Sequence, residues 1–565
     1  MFNSKQKRLF ATDSKKETSA FVKAGLKKDA VTISGNGAKK FSTTRLPFVD
    51  QFTKLGTYKV QRSFEDITND CEILWATDKV KAVYFIFYIR MITRIVTFFN
   101  GTSTKVSQKG AELKHEGIMR MIWLYFKAPE IFWNNIGIFV SVGSWKDIIM
   151  MLSYDLQYNG WNNRKLDWDK FANLIMTSLE NKNTCELLKK FLPKAEMSSK
   201  KETNENNLHK QADVLIGKFL IGKLYPEYIG ADAMTKAKYY RMYRKLKSNG
   251  TAHEWQQLIS KKKFDRIDFN KIHGRALSLL VRGKFLDNSG LRSKYETWIA
   301  KPETTNVKYT GFVHELFSVC NKYEILIKMP VAERDTINKQ FDTLVNKGGE
   351  TKNTNLIVVR DTSSSMRSIA TGTNMSCYNI GKALALYFSE FLTGKFANAW
   401  IEFNSDAKMH IWQGKTPLEK WYNDKSSYVG STNFLSVMKL FVDLKKQGVS
   451  ESEFPTGILC ISDSEFNPTY SLSKTNIEVA LEILREGGFS ESYVKNFVIV
   501  LWNLQSSYYG KGTGEKFETY GDVPNVFYFS GYSAATVSFL SNDIKTASEL
   551  FEEAMKQEAI QMIEI

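Results

Sequence analysis

The chain has 565 residues, 43% apolar and 24% charged, with a formal charge of +18. That length exceeds one ordinary core and implies about two to four domains of a normal globular composition. The charge favours an anionic partner, nucleic acid first and a membrane surface second, against the plain alternative of a lysine-rich composition. Five well-separated cysteines (Cys71, Cys185, Cys320, Cys377 and Cys460) offer no disulfide framework and no zinc knuckle. A reducing, cytoplasmic setting is therefore expected. The basic start "MFNSKQKRLF" lacks the apolar segment of a secretory signal.

Residues 1–45, rich in Lys, Ser, Thr and Gly, are expected to be a flexible basic arm followed by an extended lead-in. Residues 46–345 carry apolar side chains at spacings of three and four, as in "HEGIMRMIWLYF" and "FANLIMTSLE". This pattern predicts an all-α region of stacked helix pairs, a helical-repeat domain without a fixed period. "VYFIFYIRMITRIVTFF" is the most apolar stretch, but two arginines interrupt it. It reads as a buried helix, and no membrane association is expected. "KNTCELLKKFL" is expected to stop at Pro193, and the polar run 195–211 to form a loop.

After "LVNKGGETKNTN" the pattern changes. Short apolar runs at 356–360, 399–403, 457–461, 497–502 and 526–529 alternate with helical segments near 377–392, 433–445, 475–485 and 540–556. Buried strands joined by crossover helices predict a doubly wound, parallel α/β domain over 346–565. Such sheets bind ligands at the carboxyl ends of their strands.

"VVRDTSSSM" (358–366) places Asp361, Ser363 and Ser365 just past the first of these runs. Residues two apart in an extended turn can face one point. Carboxylate and hydroxyl oxygens suit Mg²⁺ or Mn²⁺ and do not suit zinc. "GSTNF" supplies Thr432 and "CISDSEF" supplies Asp463 at the same expected rim. Helix capping by the serines is the plainer alternative. Glu465 is open as a second-sphere group or a rival ligand. No G-x-S-x-G elbow, no Walker A motif and no G-x-G-x-x-G fingerprint accompanies these residues, and no catalytic residue is assigned. His410 reads as a loop residue.

In order, Asp361, Ser363, Ser365, Thr432 and Asp463 resemble the metal-ion-dependent adhesion site (MIDAS) of von Willebrand factor A domains. That resemblance implies a binding site whose Mg²⁺ (or Mn²⁺) takes an acidic residue from a protein partner, and a protein that is not an enzyme.

Residues 234–263, "MTKAKYYRMYRKLKSNGTAHEWQQLISKKK", hold one acid, Glu254, among many bases. Lys238, Arg241 and Lys245 share a helix face, flanked by Arg244 and Lys247. Lys261, Lys262 and Lys263 extend the patch. Tyr239, Tyr240 and Tyr243 either stack on bases or pack inward. Arg275, Arg282 and Lys284 follow. The signal is electrostatic, which fits RNA read by shape or a single-stranded end.

The whole arrangement resembles the Ro ribonucleoprotein (TROVE) proteins, and more closely their relatives in plants, amoebae, bacteria and large viruses. "NGAKKFSTT", "PFVDQF", "VGSWKDII", "KKFLPK", "YYRMYRKLK", "DFNKIHGRA", "ISDSEF" and "VLWNLQ" carry the likeness over roughly 35–560. Phe191 replaces a tryptophan, and Ile272-His273-Gly274 stands where Val-Pro is usual. The resemblance implies a HEAT-like ring of helices that holds small non-coding RNA, beside a von Willebrand factor A domain. It makes Lys238, Arg241, Arg244, Lys245 and Lys247 the RNA-contact candidates. The competing expectation is an interaction, assembly or virion structural factor that does not bind RNA. A nuclease using Asp361 and Asp463 lacks the further carboxylates that two-metal chemistry requires.

Overall fold

A computed structural model describes residues 31–33, 39–41, 43–56, 62–92, 94–99, 102–109, 113–181, 185–196, 204–248, 254–272, 275–304, 307–309, 311–347, 355–370, 372–392, 396–426, 430–464, 466–470, 474–504, 523–533 and 545–565. Most of the expected arm, together with His273, Gly274 and Glu465, lies outside the described residues. Within the lead-in, β1 (Val31–Ile33) pairs antiparallel with β2 (Lys39–Phe41).

From Pro47 to Lys347 the chain is mostly helical, but it is not all α. The apolar stretch expected as one buried helix divides into helix Lys79–Met91 and strand β3 (Arg94–Phe99), which pairs antiparallel with β4 (Thr102–Lys109). The helical half is buried, as expected. Beyond it, Ile92, Thr93, Ile95, Val96 and Thr97 are β-branched, and Asn100-Gly101 separates the strands in sequence. Both features favour a hairpin over a continuing helix. Residues 204–211, expected as loop, open helix Asn204–Leu224. Helix Cys185–Phe191 ends before Pro193, as expected.

"VGSWKDII" starts helix Trp145–Asn159 with a capping box between Ser144 and Asp147. The buried Asp147 also accepts from Arg90 Nε at 2.8 Å, and Arg90 Nη2 stands 2.6 Å away. Gly143 leaves room for this pair, because a Cβ there would lie 2.3 Å from the Asp147 carboxylate. Among the described residues no single helix is long and apolar enough to cross a membrane.

All five expected strands form: β5 (Leu356–Asp361), β6 (Ala399–Phe403), β8 (Gly457–Ser462), β9 (Val498–Asn503) and β10 (Val526–Ser530). A sixth, β7 (Ala407–Ile411), was not expected. The order is β10-β9-β8-β5-β6-β7, with every pair parallel except β6–β7. The sheet is thus mixed, with an antiparallel edge, where a purely parallel one was expected. The short, half-exposed "AKMHI" lacks the apolar run that marks a buried strand.

Alternation along the strands sets two faces. Ile357, Val359, Ile401, Ile458 and Ile499 pack beneath helices Leu435–Lys446 and Asn476–Glu486. Val358, Trp400, Leu459, Val500 and Phe527 join the same core as the N-terminal helices. Both ends of the helical region therefore dock on the α/β part. At one end Phe551 sits among Phe48, Phe52 and Phe85, with ring centroids 5.4, 5.7 and 5.7 Å away. Gly56 meets Ser530 so closely that a Cβ would lie 2.0 Å from its carbonyl carbon. At the other end Phe317 stacks on Trp421 at 4.5 Å. Ile267, Phe269, Leu277, Val307 and Ala332 join a separate small core around Leu286, Tyr295 and Ile299.

Candidate functional site

The central strands deliver the acidic residues to one rim. Asp361 is the last residue of β5, and Asp463 follows the end of the neighbouring β8. Ser462 Oγ donates to Asp361 Oδ2 at 2.5 Å, and the Ser363 amide donates to Asp361 Oδ1 at 2.8 Å. The hydroxyls of Ser363 and Ser365 lie 3.0 Å apart. Spacing by two thus brings both serines to the same side, as expected. Ser365 does enter a short 3-10 turn, Ser364–Arg367, but its side chain stays with Ser363.

Thr432 is buried in the segment before helix Leu435–Lys446, the segment that meets the Asp361 loop at Gly430. Its backbone is held on both sides by Asn467: the Thr432 amide donates to Asn467 Oδ1 at 3.3 Å, and Asn467 N donates to Thr432 O at 2.9 Å. Ser364 N and Oγ both approach the Gly430 carbonyl, joining the Asp361 loop to the Thr432 segment. Ser462 and Asn467 were not singled out from the sequence. Ser462 sits inside the quoted "CISDSEF", and Asn467 carried no signal.

Asp361, Ser363, Thr432 and Asp463 are all buried, and Ser365 is half-buried. Burial, with the Asp463 charge second, pushes the Asp361 carboxyl up to about 7. Cys377, beside the rim, is pushed up to about 12 by burial, again with Asp463 next. Two buried carboxylates that disfavour each other's ionisation are a costly arrangement without a compensating cation. Among the described residues no three His, Cys, Asp or Glu side chains gather as a metal cluster. The rim itself offers two carboxylates and hydroxyls, oxygen donors of the kind that suit a hard divalent cation. Asp361, Ser363, Ser365, Thr432 and Asp463 are the residues that could hold it.

His410 lies in strand β7, not in a loop. Its Nε2 is 2.8 Å from Glu402, and its ring stacks on Trp400 at 4.6 Å. Glu402 also accepts from Thr362 Oγ1 at 3.0 Å, so this pair supports the turn after Asp361 from below.

The basic segment forms helices Ala233–Ser248 and Glu254–Ser260. Lys238, Arg241, Arg244, Lys245, Lys261, Lys262 and Lys263 are exposed. Arg244 approaches Glu196 at 3.7 Å. Lys247 differs: it donates to the Leu192 carbonyl, and burial lowers its ammonium to about 8. The tyrosines turn inward. Tyr239 stacks on Tyr225 at 5.2 Å, the Tyr240 hydroxyl meets that of Tyr228 at 2.7 Å, and Tyr243 is buried. Arg282 is spent on the Glu315 and Leu316 carbonyls, while Lys284 is exposed.

A sequence family described as a domain of unknown function, DUF7788, matches residues 355–564, the α/β part with its oxygen-lined rim. No curated protein matches the chain.

Proposed function

We propose that the chain is a non-enzymatic binding protein of Ro-like type. In this reading its α/β part is a von Willebrand factor A-like domain, and its helical part is a HEAT-like RNA-binding region. The observation that carries the reading is the convergence of Asp361, Ser363 and Ser365 with the Asp463 and Thr432 segments at one sheet rim.

Asp361 and Asp463 would hold Mg²⁺, or Mn²⁺, with the hydroxyls of Ser363, Ser365 and Thr432 completing the set. The ion would supply a positive centre for a carboxylate on a protein partner. The residues themselves bind and orient. Ser462 and the Ser363 amide fix the Asp361 carboxylate, and Asn467 fixes Thr432.

The helical part would capture RNA electrostatically through Lys238, Arg241, Arg244, Lys245, Lys261, Lys262 and Lys263. With Tyr239, Tyr240 and Tyr243 packed inward, the surface offers charge and little base stacking. Small non-coding or single-stranded RNA bound through its backbone fits such a surface. The same inward packing favours, as second reading, an assembly factor that binds an acidic protein and no RNA.

Ultraviolet crosslinking in native cells, with peptide mapping of the adducts, separates the two readings. Adducts within 234–284 are expected. An abundant, folded protein without RNA adducts would leave the assembly reading.

A further inference from the structure

Trp161 opens a short exposed turn, Trp161–Asn163, that follows helix Trp145–Asn159 and Gly160. The indole keeps 39% of its surface in solvent. The loop beneath it is nonetheless firmly held. The buried Asp155 carboxylate accepts from the amides of Lys165 and Leu166 at 2.9 and 3.1 Å, and from Trp168 Nε1 and Asn159 Nδ2, both at 2.8 Å.

The Arg164 guanidinium lies 4.1 Å from the Trp161 ring centroid, 4.7 Å from that of Trp168 and 5.8 Å from that of Phe219. So short an approach puts the cation above the face of Trp161. Trp168 and Phe219 stand 5.6 and 6.3 Å from Trp161, farther than either stands from the guanidinium. The cation and both rings therefore gather on one side of the indole, which leaves the opposite face open to water. Arg164 Nη1 is buried without a hydrogen bond, so the ring faces are what compensates it there.

Any apolar side chain would cover Arg164, and burying the indole would serve stability better. What this arrangement adds is a rigid, flat π-face presented to solvent. Its surroundings are basic. Lys165, and Lys218 next to Phe219 in sequence, are exposed. The nearby acids are committed: Asp155 to the loop, Asp167 to the Lys170 amide as a helix cap, and Asp169 to Lys223 at 2.6 Å. Phe219 lies in helix Asn204–Leu224, and Tyr225, just past that helix, stacks on Tyr239 of the basic helix Ala233–Ser248. Six helical residues span about 9 Å, so one element braces both the indole cluster and the basic helix. A flat aromatic face among ammonium groups suits a planar ring on an anionic backbone, which is an unpaired nucleotide.

We propose that Trp161 is a stacking platform for an unpaired base of single-stranded RNA, with Arg164 supporting the indole from behind. The proposal rests on the RNA reading above. It adds the base contact that Tyr239, Tyr240 and Tyr243, packed inward, do not make.

The test is fluorescence anisotropy of the full chain with labelled oligoadenylate, and with a base-free ribose-phosphate oligomer of the same length, at several salt concentrations. Trp161→Leu keeps an apolar cover over Arg164 but has no π-face. It is expected to lose about tenfold in affinity for oligoadenylate with the salt slope unchanged, while Trp161→Phe loses about threefold or less. Neither variant should bind the base-free oligomer differently from wild type. Circular dichroism checks the fold. If Trp161→Leu does not fold, photocrosslinking of wild type to an iodouridine-substituted oligomer decides: an adduct on Trp161 is expected, and adducts only elsewhere overturn the platform. A folded Trp161→Leu within about twofold of wild type on oligoadenylate, or an equal loss on the base-free oligomer, overturns the platform and leaves the RNA reading standing. A wild type that binds neither oligomer overturns both.

Discussion

Ser462 Oγ donates to Asp361 at 2.5 Å across the two central strands of the sheet. This bond holds the Asp361 carboxylate in place next to the segment that carries Asp463. The two carboxylates are thus held near each other at one rim, at an electrostatic cost that burial and the Asp463 charge impose on Asp361.

That cost has a definite pH dependence. Asp361 rises from an ordinary value of 3.8 to about 7 in the fold, through burial first and Asp463 second. The folded state therefore holds this proton more tightly than the unfolded chain. Its contribution is fully present below about pH 3.8 and is lost as the pH rises toward about 7. Without divalent ions, this group makes the protein less stable at pH 8 than at pH 5. Mg²⁺ should oppose that loss, so the rise in Tm on adding Mg²⁺ should grow between pH 5 and pH 8. Asp361→Asn should remove both the pH dependence in this window and the Mg²⁺ effect. Thermal unfolding at several pH values, with Mg²⁺ or with chelator, checks this. A Mg²⁺ increment that is flat with pH would contradict it.

The basic helix makes a second prediction, in which neighbouring lysines behave differently. Lys238→Ala and Lys245→Ala should each weaken RNA binding and reduce the salt slope by about 0.7 for each phosphate no longer neutralised, without changing Tm. Lys247→Met should instead leave the Leu192 carbonyl unpaired and lower stability by about 1–3 kcal/mol. Salt titrations of RNA affinity, paired with urea unfolding, separate the two behaviours.

The junction between the two parts is a third point. Phe551 fills a pocket between helices Pro47–Lys54 and Lys79–Met91. Phe551→Ala should cost about 3–5 kcal/mol. Because the helical and α/β parts share that core, unfolding should lose cooperativity, and limited proteolysis should release the helical part early. A Tm and a proteolysis pattern equal to those of wild type would contradict this role for Phe551.

Much of this architecture is legible in the sequence, for physical reasons. Five strands bury both faces, so "LIVVR" and "GILCI" read as unbroken apolar runs. β7 buries little and carries Lys408 and His410, so it does not. The β3–β4 hairpin is not legible because the apolar residues of β3 continue the pattern of the preceding helix. Asp361, Ser363 and Ser365 were legible because local spacing decides where they point. The roles of Ser462 and Asn467 were not, because they depend on pairings between distant segments. Lys247 and the three tyrosines share one helix with the exposed bases. Only the neighbouring helices decide which of them face inward.

The most direct test of the division of labour is RNA retention by folded Asp361→Ala protein, measured beside wild type and a Lys238→Glu, Arg241→Glu, Lys245→Glu triple variant. The account predicts that Asp361→Ala binds RNA as wild type does while the triple variant loses binding. Loss of RNA affinity in a folded Asp361→Ala protein, or full retention by the triple variant, would contradict it.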